Sequence, residues 1–306
     1  MENTDINEAV QELETILDVV RWSVSRFNQA GLYFGHGTDN AWDEVISMVL
    51  QVLHLPQQID LQLYQSRLTT SEKRQVLELI QRRIDERVPA AYLTNQAWFC
   101  GLPFYVDERV LVPRSPIAEL IQNRFAGFLT EEPGYILDLC TGSACIAIAC
   151  AYEFPEAQVD AADISYDALD VASINIEEHQ LQDRVFPLHS DVYSGLAGQK
   201  YDLIVTNPPY VDAEDIADMP EEFHVEPVIG LAAGEDGLDI VHTILRDAPD
   251  HLNDGGWLIV EVGNSLVHMN EQYADLPLTW ITFEHGGDGV FAVQKEALAE
   301  YFAGNE

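Results

Sequence analysis

Apolar residues recur at helical spacing through the first 87 positions. Ile6, Ala9, Val10, Leu13, Ile16, Leu17, Val20, Val24 and Phe27 form one stripe, which predicts a single long helix. The glycines of GLYFGHGTDN interrupt it. Asn40, with Asp43 and Glu44 in the turn that follows, predicts the cap of a second helix reaching about His54. Thr69-x-x-Glu72 reads as a capping box ahead of KRQVLELIQRRIDERV, a helix that Pro89 should end. Residues 88–115 change character. AWFCGLPFYVDERVLVPRSP sets aromatic and β-branched residues around Cys100-Gly101, which predicts a β-hairpin.

From Tyr135 onward strands and helices alternate. YILDLC, AQVDAADIS, RVFPLHSD, YDLIVTN and GWLIVEVG read as strands, with helices at ACIAIACAY, YDALDVASINIEEHQ and GLDIVHTILRDAPDHL. Such alternation implies right-handed crossovers and a parallel sheet. LTWITFEH and GVFAVQK, joined by Gly286-Gly287-Asp288-Gly289, predict a closing antiparallel pair. The expected fold is therefore α/β, with a doubly wound, mostly parallel sheet of seven strands. The expected division is a helical domain over 1–87, a hairpin connector over 88–115 and the α/β domain over 116–306.

Composition narrows the function. At 306 residues and 47% apolar, the chain has room for two domains. The acidic start MENTDINEAV lacks a signal-peptide pattern and no apolar run reaches membrane-spanning length, so a cytoplasmic protein is expected. The formal net charge is −37, and Lys73, Lys200 and Lys295 are the whole lysine complement. So acidic a surface repels nucleic-acid phosphates, which makes DNA an unsuitable partner, and attracts a basic one. It is equally the surface of a heavily solvated, salt-adapted protein. Cys100, Cys140, Cys145 and Cys150 form no C-x-x-C pair and the nine histidines no H-x-x-x-H, so neither a disulfide framework nor a metal site is expected.

Candidate chemistry gathers at strand ends. ILDLCTGSACIAIA is a strand, a glycine-containing turn and a helix, and ligands of open α/β sheets sit beyond the carboxyl ends of strands. Gly142 lets backbone approach a ligand closely. Asp138, Asp163 and Asp191 fall at three successive strand ends. Asp163 is placed for the two hydroxyls of a ribose, and Asp191 for an adenine amino group. The fourth strand runs into Asn207, Pro208, Pro209 and Tyr210. Two prolines remove two N–H donors and fix two φ angles, so this corner is rigid.

DLCTGSACIAIA, DAADIS, HSDV and VTNPPYV together resemble, in order, the motifs of class I S-adenosylmethionine-dependent methyltransferases that act on planar, conjugated nitrogens. PAAYLTNQAWFCGLPFYVDERVLVPRSP and GGDGVFAV extend the likeness to the glutamine N5-methyltransferases, whose bacterial branches act on release factors and on a large-subunit ribosomal protein. VVRWSVSRFNQAGLYFGHGTDNAWDE resembles the branch acting on ribosomal protein three of the large subunit. The resemblance covers nearly the whole chain. It implies S-adenosylmethionine as cofactor, S-adenosylhomocysteine as product and a basic ribosomal protein as partner, leaving oligomeric state open. It assigns catalysis to Asn207, Pro208, Pro209 and Tyr210. Cofactor contacts would come from Asp138, Cys140, Thr141, Gly142, Ser143, Ala144, Asp163, Ile164, Asp191, Val192 and Asn207. Ala144 stands where the family usually has glycine, a departure that weakens binding only mildly if φ there is negative.

Other readings are methylation of release factors, adenine-N6 methylation of a flipped base, and a non-catalytic module of the same fold. The nucleic-acid reading wants a basic groove. The net charge opposes it, although Arg21, Arg26, Arg82, Arg83 and Arg87 offer local positive charge. The acidic stretch VDAEDIADMPEEFHVEPVIGLAAGEDGLD after the tetrad reads as a solvated loop, or as a lid whose carboxylates meet a basic substrate.

Overall fold

A computed structural model describes residues 3–284 and 286–304 and divides into two compact units. One comprises the chain up to Gln96 together with Pro220–Val225; the other comprises Ala97–Met219 and the chain from Glu226 onward.

The first unit is helical, with α1 (Asn3–Glu12), α2 (Ile16–Ala30), α3 (Ala41–Val52), α4 (Thr70–Glu86) and α5 (Ala90–Thr94). The apolar stripe read as one long helix is two. Thr15 and Asp18 form a capping box, with Asp18 N donating to Thr15 Oγ1 at 3.1 Å and Thr15 N to Asp18 Oδ2 at 2.9 Å. Lys73 closes the other side of the break, its Nζ donating to the carbonyls of Val10 at 2.5 Å and Leu13 at 2.8 Å. Periodicity runs through the break because both helices bury the same face in one core, with Val19, Val20, Phe27, Val45, Val49 and Leu77 fully inside. The caps at Asn40 and Thr69 form as their spacing requires. α4 stops at Glu86 with Arg87 left-handed, and Pro89 opens α5 instead of ending α4.

The arginines of this unit are spent on the unit itself. Arg83 is wholly buried, bonding Glu44 Oε1 at 2.8 Å and the Tyr33 carbonyl at 2.9 Å, with Glu222 3.6 Å away. Arg87 bonds Glu222 at 3.1 Å and the Ala30 carbonyl at 2.8 Å. Arg82 pairs with Glu86, and Arg26 lies over the Trp22 ring. Of the local positive charge that favoured an RNA partner, Arg82, Arg83 and Arg87 are neutralised within the unit. The acidic stretch is likewise no simple solvated loop. It holds α9 (Ala213–Asp218) and short 3₁₀ turns at Glu221–Val225 and Val228–Gly230, and it buries Glu222 and Glu226 in ion pairs.

The second unit opens with the expected hairpin. β1 (Ala97–Phe99) and β2 (Leu102–Phe104) are antiparallel, and Cys100 and Gly101 both have positive φ, as a tight primed turn requires. After α6 (Ile117–Gln122) the chain alternates through β3 (Tyr135–Leu139), α7 (Cys145–Glu153), β4 (Gln158–Asp163), α8 (Tyr166–Glu178), β5 (Val185–His189) and β6 (Tyr201–Thr206). Beyond α9 come α10 (Asp239–His251), β7 (Leu252–Glu261), α11 (Leu266–Gln272), β8 (Thr279–Trp280), β9 (Val290–Gln294) and α12 (Lys295–Gly304). The strands form one sheet in the order β5-β4-β3-β6-β7-β9-β8, parallel from β5 to β7, with β9 antiparallel to both its neighbours.

Alternate strand residues face two cores. Ile136, Val159, Ala161, Leu203, Val205 and Ile259 pack in one with α6 and α7; Leu137, Leu139, Ile204, Leu258 and Val260 pack in the other with α10 and α12. Both sheet faces are therefore covered, and the strands read as near-continuous apolar runs. LTWITFEH yields less strand than its composition suggests. Only Thr279 and Trp280 pair in β8, and His285 lies outside the described residues.

Candidate active site

Strand register builds a row of side chains along one edge of the sheet. Leu139 on β3 sits opposite Ala162 on β4 and Thr206 on β6, Asp163 opposite His189, and Thr206 opposite Val260. Cys140, Asp163, His189, Asn207 and Glu261 consequently lie on five adjacent strands at one level, at their carboxyl ends. Two bonds tie the row together: Thr206 Oγ1 donates to the Leu139 carbonyl at 2.7 Å and Thr141 N to the Ala162 carbonyl at 3.0 Å.

The turn after β3 is left-handed at three positions, with φ of 61° at Cys140, 56° at Gly142 and 63° at Ala144. The condition under which Ala144 would be harmless is not met. An L-residue there carries roughly 1–2 kcal/mol of strain, against which its fully buried methyl returns about 0.8 kcal/mol. Val192, a β-branched residue, is also left-handed, at φ 48°. The Ser190 hydroxyl holds it there by donating to the Val192 carbonyl at 2.6 Å while accepting from Gly195 N. Strained backbone concentrated at one ligand-facing edge is characteristic of a binding site.

The acids of the row divide into two kinds. Asp138 lies inside β3 and is buried; its Oδ2 accepts from Thr141 Oγ1 at 2.5 Å and from Ala147 N at 2.9 Å, organising the turn and the start of α7. Its Oδ1 is buried without a partner. Burial pushes this carboxyl up to about 7, against the pull of its two donors. Asp163 is half-buried and takes one backbone N–H on each oxygen, from Gly142 and Ser165, at 2.9 Å each. Each oxygen keeps a lone pair for a further donor. Ile164 is 45% exposed, and Asp191, two residues beyond the end of β5, is exposed. Gly142 faces open space, where an added Cβ would meet no protein atom within 4 Å. Thr141 and Ser143 are buried.

Pro208 and Pro209 are buried, so the corner after β6 is held by packing as well as by its rings. Asn207 Oδ1 is buried with no hydrogen-bond partner. A lone buried amide oxygen costs about 1–3 kcal/mol, which a ligand N–H would recover. Tyr210 is anchored at both ends. Its carbonyl accepts from Ser265 Oγ at 2.9 Å and its phenol donates to Glu261 Oε1 at 3.0 Å. Burial, and then the charge of Glu261, push the phenol above its ordinary range.

The methyltransferase small domain pattern matches residues 123–224. Among solved structures, a methyltransferase from Pyrococcus furiosus aligns with a TM-score of 0.47 and 22% identity over 64% of this chain and 89% of that one. A ribosomal protein uL3 glutamine methyltransferase from Francisella tularensis subsp. tularensis is 45% identical, covering 96% of this chain and 94% of its own. Another, from Xanthomonas campestris pv. campestris, is 51% identical and covers 96% of each. The chain belongs to the ribosomal protein uL3 glutamine methyltransferases. In this uL3 glutamine methyltransferase family member, sequence reasoning passed over Glu261. It lay in GWLIVEVG, read only as a core strand, yet a lone acid in an apolar run at the level of the other strand-end acids was a usable signal.

Proposed function

We propose that this methyltransferase transfers a methyl group to the side-chain amide nitrogen of a glutamine in ribosomal protein uL3, with S-adenosylmethionine as donor. The observation that carries the reading is the buried, partnerless Asn207 Oδ1 on a rigid Pro-Pro corner, in register with the left-handed turn after β3. The family relationship supplies the substrate class. The net charge of −37 suits a basic ribosomal protein, and a ribosomal substrate supports a cytoplasmic location.

The open face of Gly142, the spare lone pairs of Asp163 and the exposed Ile164 fit an adenosyl group, with Asp191 available to an adenine amino group. When bound, that cofactor supplies a methyl group on a positively charged sulfur. The chain's own work lies on the acceptor side. A carboxamide nitrogen is a poor nucleophile because its lone pair is delocalised into the carbonyl. Asn207 Oδ1 and the Pro208 carbonyl accept its two N–H bonds, favour pyramidal nitrogen and turn the lone pair toward the methyl group. Their rigidity means that little reorganisation accompanies the reaction. No base is needed before transfer, because the alkylated nitrogen is strongly acidic.

Labelled S-adenosylmethionine offered in parallel to purified uL3, release factors and nucleic acid tests this. Label should enter uL3 and be lost when the acceptor glutamine is replaced by alanine. Label on release factors alone overturns the substrate, and label on nucleic acid alone overturns the reaction class. Asn207→Ala should lower kcat by about 10²–10³-fold while leaving cofactor Kd within about threefold.

A further inference from the structure

Two pieces of sequence that mark the family, VPRSP and GGDGV, are not used by the transfer chemistry just described. Both converge on Tyr210. Glu261 is 5% exposed and takes two hydroxyl donors, the Tyr210 phenol on Oε1 at 3.0 Å and Ser115 Oγ on Oε2 at 2.5 Å. Ser115 in turn accepts from Ile117 N at 3.1 Å, which fixes its hydroxyl. Arg114 bonds both oxygens of Glu226, at 2.6 and 2.7 Å. Burial raises the Glu261 carboxyl above its ordinary range, against the pull of its two hydroxyl donors and of the Arg114 charge. The ring itself has a backbone floor. A Cβ at Gly263 would stand 2.6 Å from Tyr210 Cε2, and one at Gly289 would stand 2.7 Å from Gly263 Cα. Gly287 abuts Pro116, where a Cβ would come 2.7 Å from Pro116 Cβ. The GGDG loop thus lies against both the floor of the ring and the PRSP segment, where side chains would intrude.

We propose that Glu261 and Ser115 are positioning residues that hold the Tyr210 ring in one orientation beside Asn207, and that VPRSP and GGDGV are the sequence that builds this support. The proposal rests on the transfer reaction above. A buried carboxylate receiving two hydroxyls, set in a stripped-down backbone pocket, immobilises a phenol more strongly than packing alone would. Neither residue touches substrate. Their effect reaches the amide through the plane of the ring and the tetrad corner to which it is joined.

The full-length enzyme is assayed with uL3 and S-adenosylmethionine. The wild-type rate reports on the transfer reading; the ratios among variants report on this one. Glu261→Ala should lower kcat about 100-fold, with KM for uL3 and cofactor Kd within about threefold. Glu261→Gln should recover most of that loss, because its amide oxygen still accepts the phenol and its NH₂ donates to Ser115 Oγ. Tyr210→Phe added to Glu261→Ala should cost less than about threefold more, since both act through one ring. Ser115→Ala, a milder change, should lower kcat about three- to tenfold and serves if Glu261→Ala melts below the assay temperature. Wild-type kcat in Glu261→Ala, or a Gln variant no better than the Ala variant at equal melting temperature, overturns the proposal. So do fully additive losses in the double variant.

Discussion

Gly142 separates a conformational cost from a binding one. Alanine there meets no protein atom, so folding should lose only the left-handed penalty, about 1 kcal/mol, read from urea unfolding. If the open space receives cofactor, the same methyl should raise the S-adenosylmethionine Kd tenfold or more by calorimetry; unchanged affinity would place the cradle elsewhere. Asp138 makes a prediction in pH. Its carboxyl rises from 3.8 in the unfolded chain to about 7 when folded, so its favourable contribution is complete below pH 3.8 and lost as pH rises through 7. Asp138→Asn does not titrate. Its stability relative to wild type should therefore climb between pH 4 and 8, by about 4 kcal/mol at most. A flat difference would show that the buried carboxyl is not strained by ionisation. The strand-end placements of Asp163 and Asn207 were legible in the sequence because one residue beyond an apolar run is an edge position in a parallel sheet. The left-handed turn at Ala144 was not, since nothing local distinguishes an alanine at φ 63° from one in a helix.

Elements of the α/β unit were legible because parallel strands buried on both faces leave unbroken apolar runs. The helical unit misled at Leu13–Thr15, where two helices share one buried face and the stripe passes over the joint. Thr15-x-x-Asp18 was the missed punctuation. β8 was overcalled because Ile281 and Phe283 are apolar without being paired in a strand. Lys73 gives the joint an energetic test. Lys73→Met keeps most of the buried stem and removes the two bonds to Val10 and Leu13, so it should cost about 2 kcal/mol. Amide exchange should quicken first at the end of α1; a variant as stable as wild type would show that water serves those carbonyls equally well.

At the scale of the whole molecule, the proposed basic substrate meets a strongly acidic surface. With −37 on the enzyme, kcat/KM for uL3 should fall at least about tenfold from low to high salt while kcat at saturation stays nearly constant. A salt-independent kcat/KM would assign the acidic surface to solvation alone. The sign of this field was legible from composition. The arginines that complicated it were not, because only the fold reveals that Arg83 and Arg87 face carboxylates.

Glu222, which neutralises those two arginines, is encoded more than a hundred codons after the rest of its unit. Cutting the gene after Gln96 would therefore release a fragment with two cations and one missing counter-ion. Anyone grafting this front piece onto another methyltransferase must transplant Pro220–Val225 as well.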